Sequence, residues 1–581
     1  MDIVDEDGPD SSQRTNPDPT GPSSPASEAT LLLTPHNAQA KLCFSEVVDW
    51  VVQRTQSNDD LKEQLDNARN HARKFIWFQP DQIRDKDVAL LLRQNDSGQS
   101  SDGTSSSPAS SVAPKGQDDG KYIWSGCYFI DLKYFPQAVT QGWIAGKCNL
   151  RRPPDLALSV ADCTAYGLRQ NHSLVQIHQD SGRACIKKVS DRGVVEIDGE
   201  VLPSGQMHVL NKASTFIRFG DLKYELEYTR FAGTESHKIN LRDYIEAAHS
   251  TTNNIDFNLT PTPSHSNNIK IGQWNFTGSG TIGSGGEGRV SVAMNDAGRI
   301  VAMKRVAAAR GSQTLHKRQG TLRILTELAD AANEDRILRL LEVITDDPVG
   351  NNRSADVWFV LYPAVAKTLN NVVDGPLLSA SQGTEKTTTI IRSILGALAF
   401  LHSHNWIHGD IKPTNIGIKQ SDASNISIVL LDLDDAIYAP NGRMAPTPGQ
   451  SGTVGWLSPE RELDGFDATT DVWAVGVMAL WLLRGRHPWQ FGINPWRSGH
   501  EQHRERFHDN FDGIVAFIHR SNLSALGTCI LQMIRHPYAH AAECKQRRPT
   551  AQQALAILDM ENQQDNVRGE NSAKRHRPST D

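Results

Sequence analysis

The sequence predicts a multidomain chain: an all-β sandwich followed by an α+β domain, with a disordered N-terminus and polar linkers. Three observations lead there. Residues 120–232 hold short runs rich in β-branched and aromatic residues, such as YIWSGCYFI, SLVQIHQ, STFIRFG and KYELEYTRF, separated by turn signals. Residues 274–560 begin with strand-like runs around tight turns and continue with apolar residues at helical spacing, most clearly in TTTIIRSILGALAFLHS at 387–403. Between and around them lie stretches dominated by Ser, Pro, Gly, Asn and Thr. The chain of 581 residues is long enough for two or three domains. Its 38% hydrophobic and 22% charged content is low for a uniformly packed chain, as the linkers imply.

The same composition excludes several classes. A formal net charge of −7 argues against bulk nucleic-acid binding. No apolar run reaches the roughly 18–20 residues of a membrane span. The opening MDIVDEDGPD has neither the basic nor the apolar region of a signal peptide. Seven cysteines without a Cys-x-x-Cys pair read as reduced thiols, not a disulfide frame or a zinc site. An intracellular protein of nucleus or cytoplasm is expected, with no direct nucleic-acid or membrane partner.

Taken in order, residues 1–30 are expected to be disordered. Residues 31–94 form a helical N-terminal segment, on the spacing of Val47, Val48, Val51, Val52, Leu61 and Leu65. Residues 95–119 are a linker. The sandwich at 120–232 carries Gly146-Lys147, then His172 with Ile177, then Asp198-Gly199, then Ile217-Arg218-Phe219-Gly220. In these residues it resembles a forkhead-associated (FHA) domain, a family that binds phosphothreonine peptides through loops at one end. The resemblance implies phosphothreonine-containing partners. It also has departures: Lys147 stands for the usual Arg, Arg169 and Gln170 for Ser and Arg or Asn, and Arg192-Gly193-Val194 for Asn-Gly-Thr. Lys147 and Arg169 remain as charge-assisted phosphate donors. The alternative is a sandwich that docks on the following α+β domain or a partner without reading phosphate; in either reading His172 braces a loop and is not a ligand. Residues 233–273, with Thr-Pro steps, read as a linker.

The α+β domain opens on Thr281-Ile282-Gly283-Ser284-Gly285-Gly286-Glu287-Gly288-Arg289-Val290. Glycines at this spacing let a turn approach phosphates closely. A Rossmann unit would open a helix next. Two strands follow instead, the second carrying Val301-Ala302-Met303-Lys304. Further on, Ile407-His408-Gly409-Asp410-Ile411-Lys412-Pro413-Thr414-Asn415 places a carboxylate, a cation and a metal-capable amide on one short loop. Phosphoryl transfer from a nucleotide needs that set. Then come Asp432-Leu433-Asp434, Gly452-Thr453 with Pro459-Glu460, Asp471-Val472-Trp473, and Arg548-Pro549.

In this order the motifs resemble those of the eukaryotic-type serine/threonine protein kinases, over residues 274–560. The resemblance implies a bilobal kinase fold, with ATP and Mg²⁺ as cofactors and proteins as substrates. It places Ile282 through Gly288, Val290, Ala302 and Lys304 on ATP. Asp410 would be the base and Lys412 would steady the transferred group. Asn415 and Asp432 would hold the metal, and Ala364 would lie at the hinge. Asp471 would brace the catalytic loop, and Arg548 would pair with Glu460. Tyr438, Thr447, Ser451 and Thr453 are candidate activation-loop sites.

Three positions depart from the family pattern. Thr321 aligns where a helix Glu normally pairs the strand lysine, so either Glu327 serves in another register or Lys304 is held by something else. Gly409 stands for an Arg, and Asp434 for a Gly. They leave a pseudokinase scaffold open beside the enzyme. An FHA-like module ahead of a kinase is similar to the layout of FHA-containing checkpoint kinases. Residues 561–581 read as a disordered basic tail, with KRHRP as a weak import signal.

Overall fold

The computed structural model describes residues 28–53, 60–98, 120–148, 153–160, 166–249, 257–264, 269–285, 288–306, 312–345, 356–373, 383–421, 426–447, 452–489, 495–496, 500–521 and 523–559. The expectations for 1–27, for most of the 95–119 linker and for the basic tail lie outside these residues. The chain divides into two compact units, Met1–Thr251 and Thr252–Asp581.

The first unit is built on two sheets. One has seven strands, in the order Glu200–Val201, Val195–Ile197, Ser214–Phe219, Leu222–Tyr228, Leu31–Pro35, Gly126–Ile130 and Ile76–Phe78. The other has five: Met207–Val209, Ala184–Lys188, Ser173–Ile177, Trp143–Lys147 and Leu156–Ser159. Ser214–Phe219 alternates strictly, with Thr215, Ile217 and Phe219 buried, as a strand with one covered face requires. Tyrosines join the two sheets. The Tyr128 hydroxyl donates to the Ala157 carbonyl at 2.6 Å, and the Tyr228 hydroxyl accepts from the Ala184 N–H at 2.9 Å.

Two boundaries differ from the sequence reading. The segment 31–94 does contain the helices Ala38–Val52, Asp60–Arg73 and Lys86–Gly98. It also contains the strand Leu31–Pro35, paired on one side with Leu222–Tyr228 and on the other with Gly126–Ile130. The sheet therefore begins well before residue 120. Five residues are too few for periodicity to speak. Within the expected linker 233–273, Glu235–His249 is a helix that buries Leu241, Tyr244 and Ile245, with Tyr244 stacked on Trp143 at 5.1 Å. Its apolar residues are sparse among charges, so the polar composition of the stretch masked it.

The second unit has two lobes. The first is a six-stranded antiparallel sheet: Lys270–Ile271, Trp274–Gly285, Gly288–Met294, Ile300–Val306, Val357–Tyr362 and Arg339–Thr345. The helix Ser312–Ala331 packs against its far strand, burying Leu322, Leu325 and Ala329. The second lobe is helical. Gly383–Ser403 buries Ile390, Ile391, Ile394, Leu395, Leu398 and Leu401, the stripe its spacing predicts. It packs on Thr469–Arg484, a helix apolar almost all round and buried accordingly. Trp406–Ile407 leads into the loop 408–412, and Ile416–Ser421 and Ile426–Leu430 form a hairpin beyond it. One apolar core runs from Ala302 and Leu325 through Leu398 and Ile428 to Trp473 and Leu558. No described helix is long and apolar enough to cross a membrane.

Candidate active site

The lobes enclose a cleft of about 1070 Å³. Its walls include Ile282, Gly283, Gly288, Val290, Ala302 and Lys304 from the sheet, and Asp410, Lys412, Asn415 and Asp432 from the loops below. Ser284 and Gly285 close the strand Trp274–Gly285, where Gly285 pairs with Gly288. Gly286 and Glu287 lie outside the described residues. Glycine is required at 288, because a Cβ there would sit 2.1 Å from the Arg305 carbonyl oxygen. Pro363 and Val365 line the side of the cleft where the hinge was expected, beside Ala364.

The loop 408–415 is held from behind. Asp471, fully buried on its helix, accepts from the His408 N–H at 2.9 Å, the Gly409 N–H at 2.9 Å and the His402 ring at 3.0 Å. Burial works against its charge, but the hydrogen bond and charge of His402, with the Gly409 N–H, outweigh it and hold the carboxyl below its usual value. His408 joins the loop to the neighbouring hairpin through the Leu431 carbonyl at 2.9 Å. Gly409 has φ +79°, a conformation that disfavours a side chain. The guanidinium of Arg461 fills the space beside it and donates to its carbonyl. A cation from another element thus lies against the backbone at Gly409, where the family pattern has an Arg side chain.

In front of the loop the polar groups converge. Lys412 Nζ lies 2.6 Å from Asp410 Oδ2 and 2.8 Å from Thr453 Oγ1, and the Thr453 hydroxyl donates to Asp410 Oδ1 at 2.7 Å. Asn415 Nδ2 donates to the Asp410 carbonyl at 2.8 Å and to its Oδ2 at 3.2 Å. That leaves the amide oxygen of Asn415 to face a cation. Asp432 sits in the left-handed region, φ +58°, and its side chain is 39% exposed. An amide oxygen and an accessible carboxylate fit a hard, oxygen-preferring cation such as magnesium. Glu460 and Arg548 pair at 2.6 Å, as expected.

Lys304 is held by carboxylates from the loop after the hairpin, the alternative in which neither Thr321 nor Glu327 serves. Its Nζ lies 2.8 Å from Asp432 Oδ1 and 2.9 Å from both oxygens of Asp434. Burial opposes its charge, yet Asp434 and then Asp432 raise its pKa above the ordinary lysine value. Asp432 is likewise disfavoured by burial but brought below its usual value by Lys304, whereas burial pushes the deeper Asp434 upward. Neither Thr321 nor Glu327 takes part. Thr321 is buried away from the cleft and Glu327 is exposed. The helix residues that face the cleft are Lys317, Arg318 and Leu322. Sequence reasoning missed Asp434 and Arg318. The acidic run Asp434-Asp435 two residues after a metal-type aspartate was the available signal.

In the first unit, the Lys147 N–H donates to the Arg169 carbonyl at 2.9 Å, so the two basic residues are neighbours. His172 is buried, accepts from the Arg169 N–H at 3.2 Å and reaches the Val194 carbonyl at 2.9 Å. Burial lowers its pKa, which suits a neutral brace between two loops.

Comparison with known proteins places residues 276–557 in the protein kinase domain model. The MAP kinase kinase kinase mkh1 of Schizosaccharomyces pombe is 27% identical over 219 residues, covering 36% of this chain and 18% of that protein. The serine/threonine-protein kinase AfsK of Streptomyces coelicolor is 26% identical over 220 residues, covering 37% of this chain and 25% of that protein. The chain thus spans a quarter or less of the length of these relatives. The crystal structure of Rad53 1-466 in complex with AMP-PNP matches at 17% identity and a TM-score of 0.42, over 71% of this chain and 89% of that one.

Proposed function

From the protein kinase domain at 276–557, we propose a protein serine/threonine kinase that transfers the γ-phosphoryl group of ATP to hydroxyls of protein substrates. The observation that carries this reading is the Asp410–Lys412–Thr453–Asn415 network, facing Lys304 and Asp432 across one cleft. Asp410 orients the acceptor hydroxyl and takes its proton. Lys412, already beside Asp410, meets the charge that develops on the transferred group. Lys304 holds nucleotide phosphates, and the strands before and after residues 286–287 cover them. Asn415 and Asp432 would hold magnesium, which supplies charge neutralisation on the phosphates when bound. Positioning and electrostatics supply nearly all of the acceleration in such transfers.

The test is radiolabel transfer from ATP-Mg to a basic protein substrate. Asp410→Asn should lower the rate by about 10²–10⁴-fold, the usual contribution of a positioned base. Equal transfer by both proteins would defeat the assignment of Asp410. Retained Lys304, Asp410, Lys412, Asn415 and Asp432, with a substitute partner for Lys304, weigh against the pseudokinase scaffold.

For the first unit we propose an FHA-like module that recruits phosphothreonine-containing proteins through Lys147 and Arg169. Their adjacency across one backbone hydrogen bond supports it. Titration of phosphorylated and unphosphorylated threonine peptides onto the full chain tests this. Preference for the phosphopeptide, lost in a Lys147→Ala/Arg169→Ala double variant, is expected; equal affinities would end it. A role in checkpoint signalling rests on the order of the two units alone.

A further inference from the structure

A lysine that grips phosphates needs a fixed counter-charge, or its four-carbon stem lets it wander. Kinases of the usual pattern place that carboxylate on the helix after the lysine strand. Here the helix Ser312–Ala331 turns a cation, Arg318, toward the cleft. The carboxylates come instead from one loop, and they are not equivalent. Asp432 is 39% exposed at the cleft surface, while Asp434 is 3% exposed and chelates Lys304 with both oxygens. If Asp432 turns to a cation that arrives with nucleotide, Asp434 remains as the lysine's anchor. Arg318 completes the cluster. Its Nε and Nη2 donate to the two oxygens of Asp435 at 3.0 and 2.6 Å, and its Nε lies 3.9 Å from Asp434. With Asp432 engaged elsewhere, Lys304, Asp434, Arg318 and Asp435 alternate in sign and balance, which is what a cluster buried at its centre requires.

We propose that Asp434 is the positioning residue for Lys304, replacing the helix carboxylate, and that Arg318 is the counter-ion through which the helix docks on this loop. The inference rests on the kinase reading of the cleft. It accounts for two departures at once: the helix lacks a carboxylate at this place because the loop carries one, and the usual glycine is an aspartate because the lysine requires it. The lysine's grip and the metal-type carboxylate then ride together on residues 432–434, two positions apart.

The experiment uses the full chain and compares the wild type with Asp434→Asn, Arg318→Glu and the double variant. Phosphotransfer is read as kcat and KM for ATP, and nucleotide binding separately as the rise in Tm that ATP causes. Asp434→Asn, nearly isosteric, should lower kcat/KM by about tenfold or more, the size expected when a phosphate contact is mispositioned. Arg318→Glu alone sets a third carboxylate beside Asp434 and Asp435 and should lose at least as much. In the double variant a carboxylate returns to the cluster from the helix, the side from which kinases of the usual pattern supply it, and activity should recover about tenfold over either single change, a coupling that independent structural damage would not give. Unchanged or raised turnover in Asp434→Asn would overturn the proposal, as would a double variant no better than its worse parent. Should Asp434→Asn fail to fold, the double variant decides alone: folded and active supports the proposal, unfolded or inactive overturns it. If the wild type transfers no phosphate, the kinase reading fails separately. The ATP-induced Tm rise still judges Asp434, by its loss or its persistence in Asp434→Asn.

Discussion

Gly409 shows how a single position carries both backbone and charge consequences. Its φ of +79° is costly for any residue with a Cβ, and Arg461 already occupies the adjoining space. Gly409→Ala should therefore cost roughly 1–2 kcal/mol in stability, the usual price of a left-handed conformation for an L-residue. Thermal melting of the pair checks it; a variant as stable as the wild type would show that the loop relaxes freely. The strand lysine and the loop residues Asp410, Lys412, Asn415 and Asp432 were legible because each sits in a short motif whose spacing is its meaning. Asp434 was not. Its partner Lys304 lies 130 positions away, and an aspartate at a glycine position looks like damage until the folded chain brings the lysine to it. Arg318 and Asp435, 117 positions apart, were invisible for the same reason.

At the scale of elements, the helix Thr469–Arg484 packs an aromatic cluster that includes a histidine. His536 is 1% exposed, lies 5.6 Å from the Trp473 ring and 4.9 Å from Phe511, and neither ring nitrogen finds a hydrogen-bond partner among the described residues. Burial, aided by Arg548, lowers its pKa to about 3, and burial lowers that of His487 to about 4. The folded pKa values lie below the unfolded value near 6.5, so the unfolded chain gains protons first as pH falls. The associated stability is fully present above about pH 6.5 and declines by about 1.4 kcal/mol per pH unit per histidine as pH falls toward the folded values. Tm should fall between pH 7 and pH 5, and His536→Phe should flatten that slope. A slope unchanged by the substitution would remove His536 from the account. Long elements such as Gly383–Ser403 were legible from their stripe. The strand Leu31–Pro35 and the helix Glu235–His249 were not, since one is too short for a period and the other too charged.

For the molecule as a whole, the order of domains was legible and the extent of the first was not. The strand Leu31–Pro35 is internal to its sheet, with partners on both edges. A fragment that starts at residue 120 would expose the edges of both neighbours and lack the strand between them. It should fail to fold cooperatively, whereas one starting at residue 28 and ending at 249 should melt in a single transition. Circular dichroism on the two fragments checks this, and a cooperative transition in the shorter would show the strand to be dispensable.

The same strand also sets a timetable. The Ala29 carbonyl accepts from the Thr229 hydroxyl across 200 positions of sequence, and Leu31 pairs with Tyr228. During synthesis at roughly 5–20 residues per second, Leu31–Pro35 leaves the ribosome long before the strand that completes its sheet exists. Closing so large a loop is slow compared with forming local helices. The newborn chain thus carries an apolar strand with at least one open edge for at least ten seconds or so by that elongation rate, an interval in which a holding chaperone has something to bind.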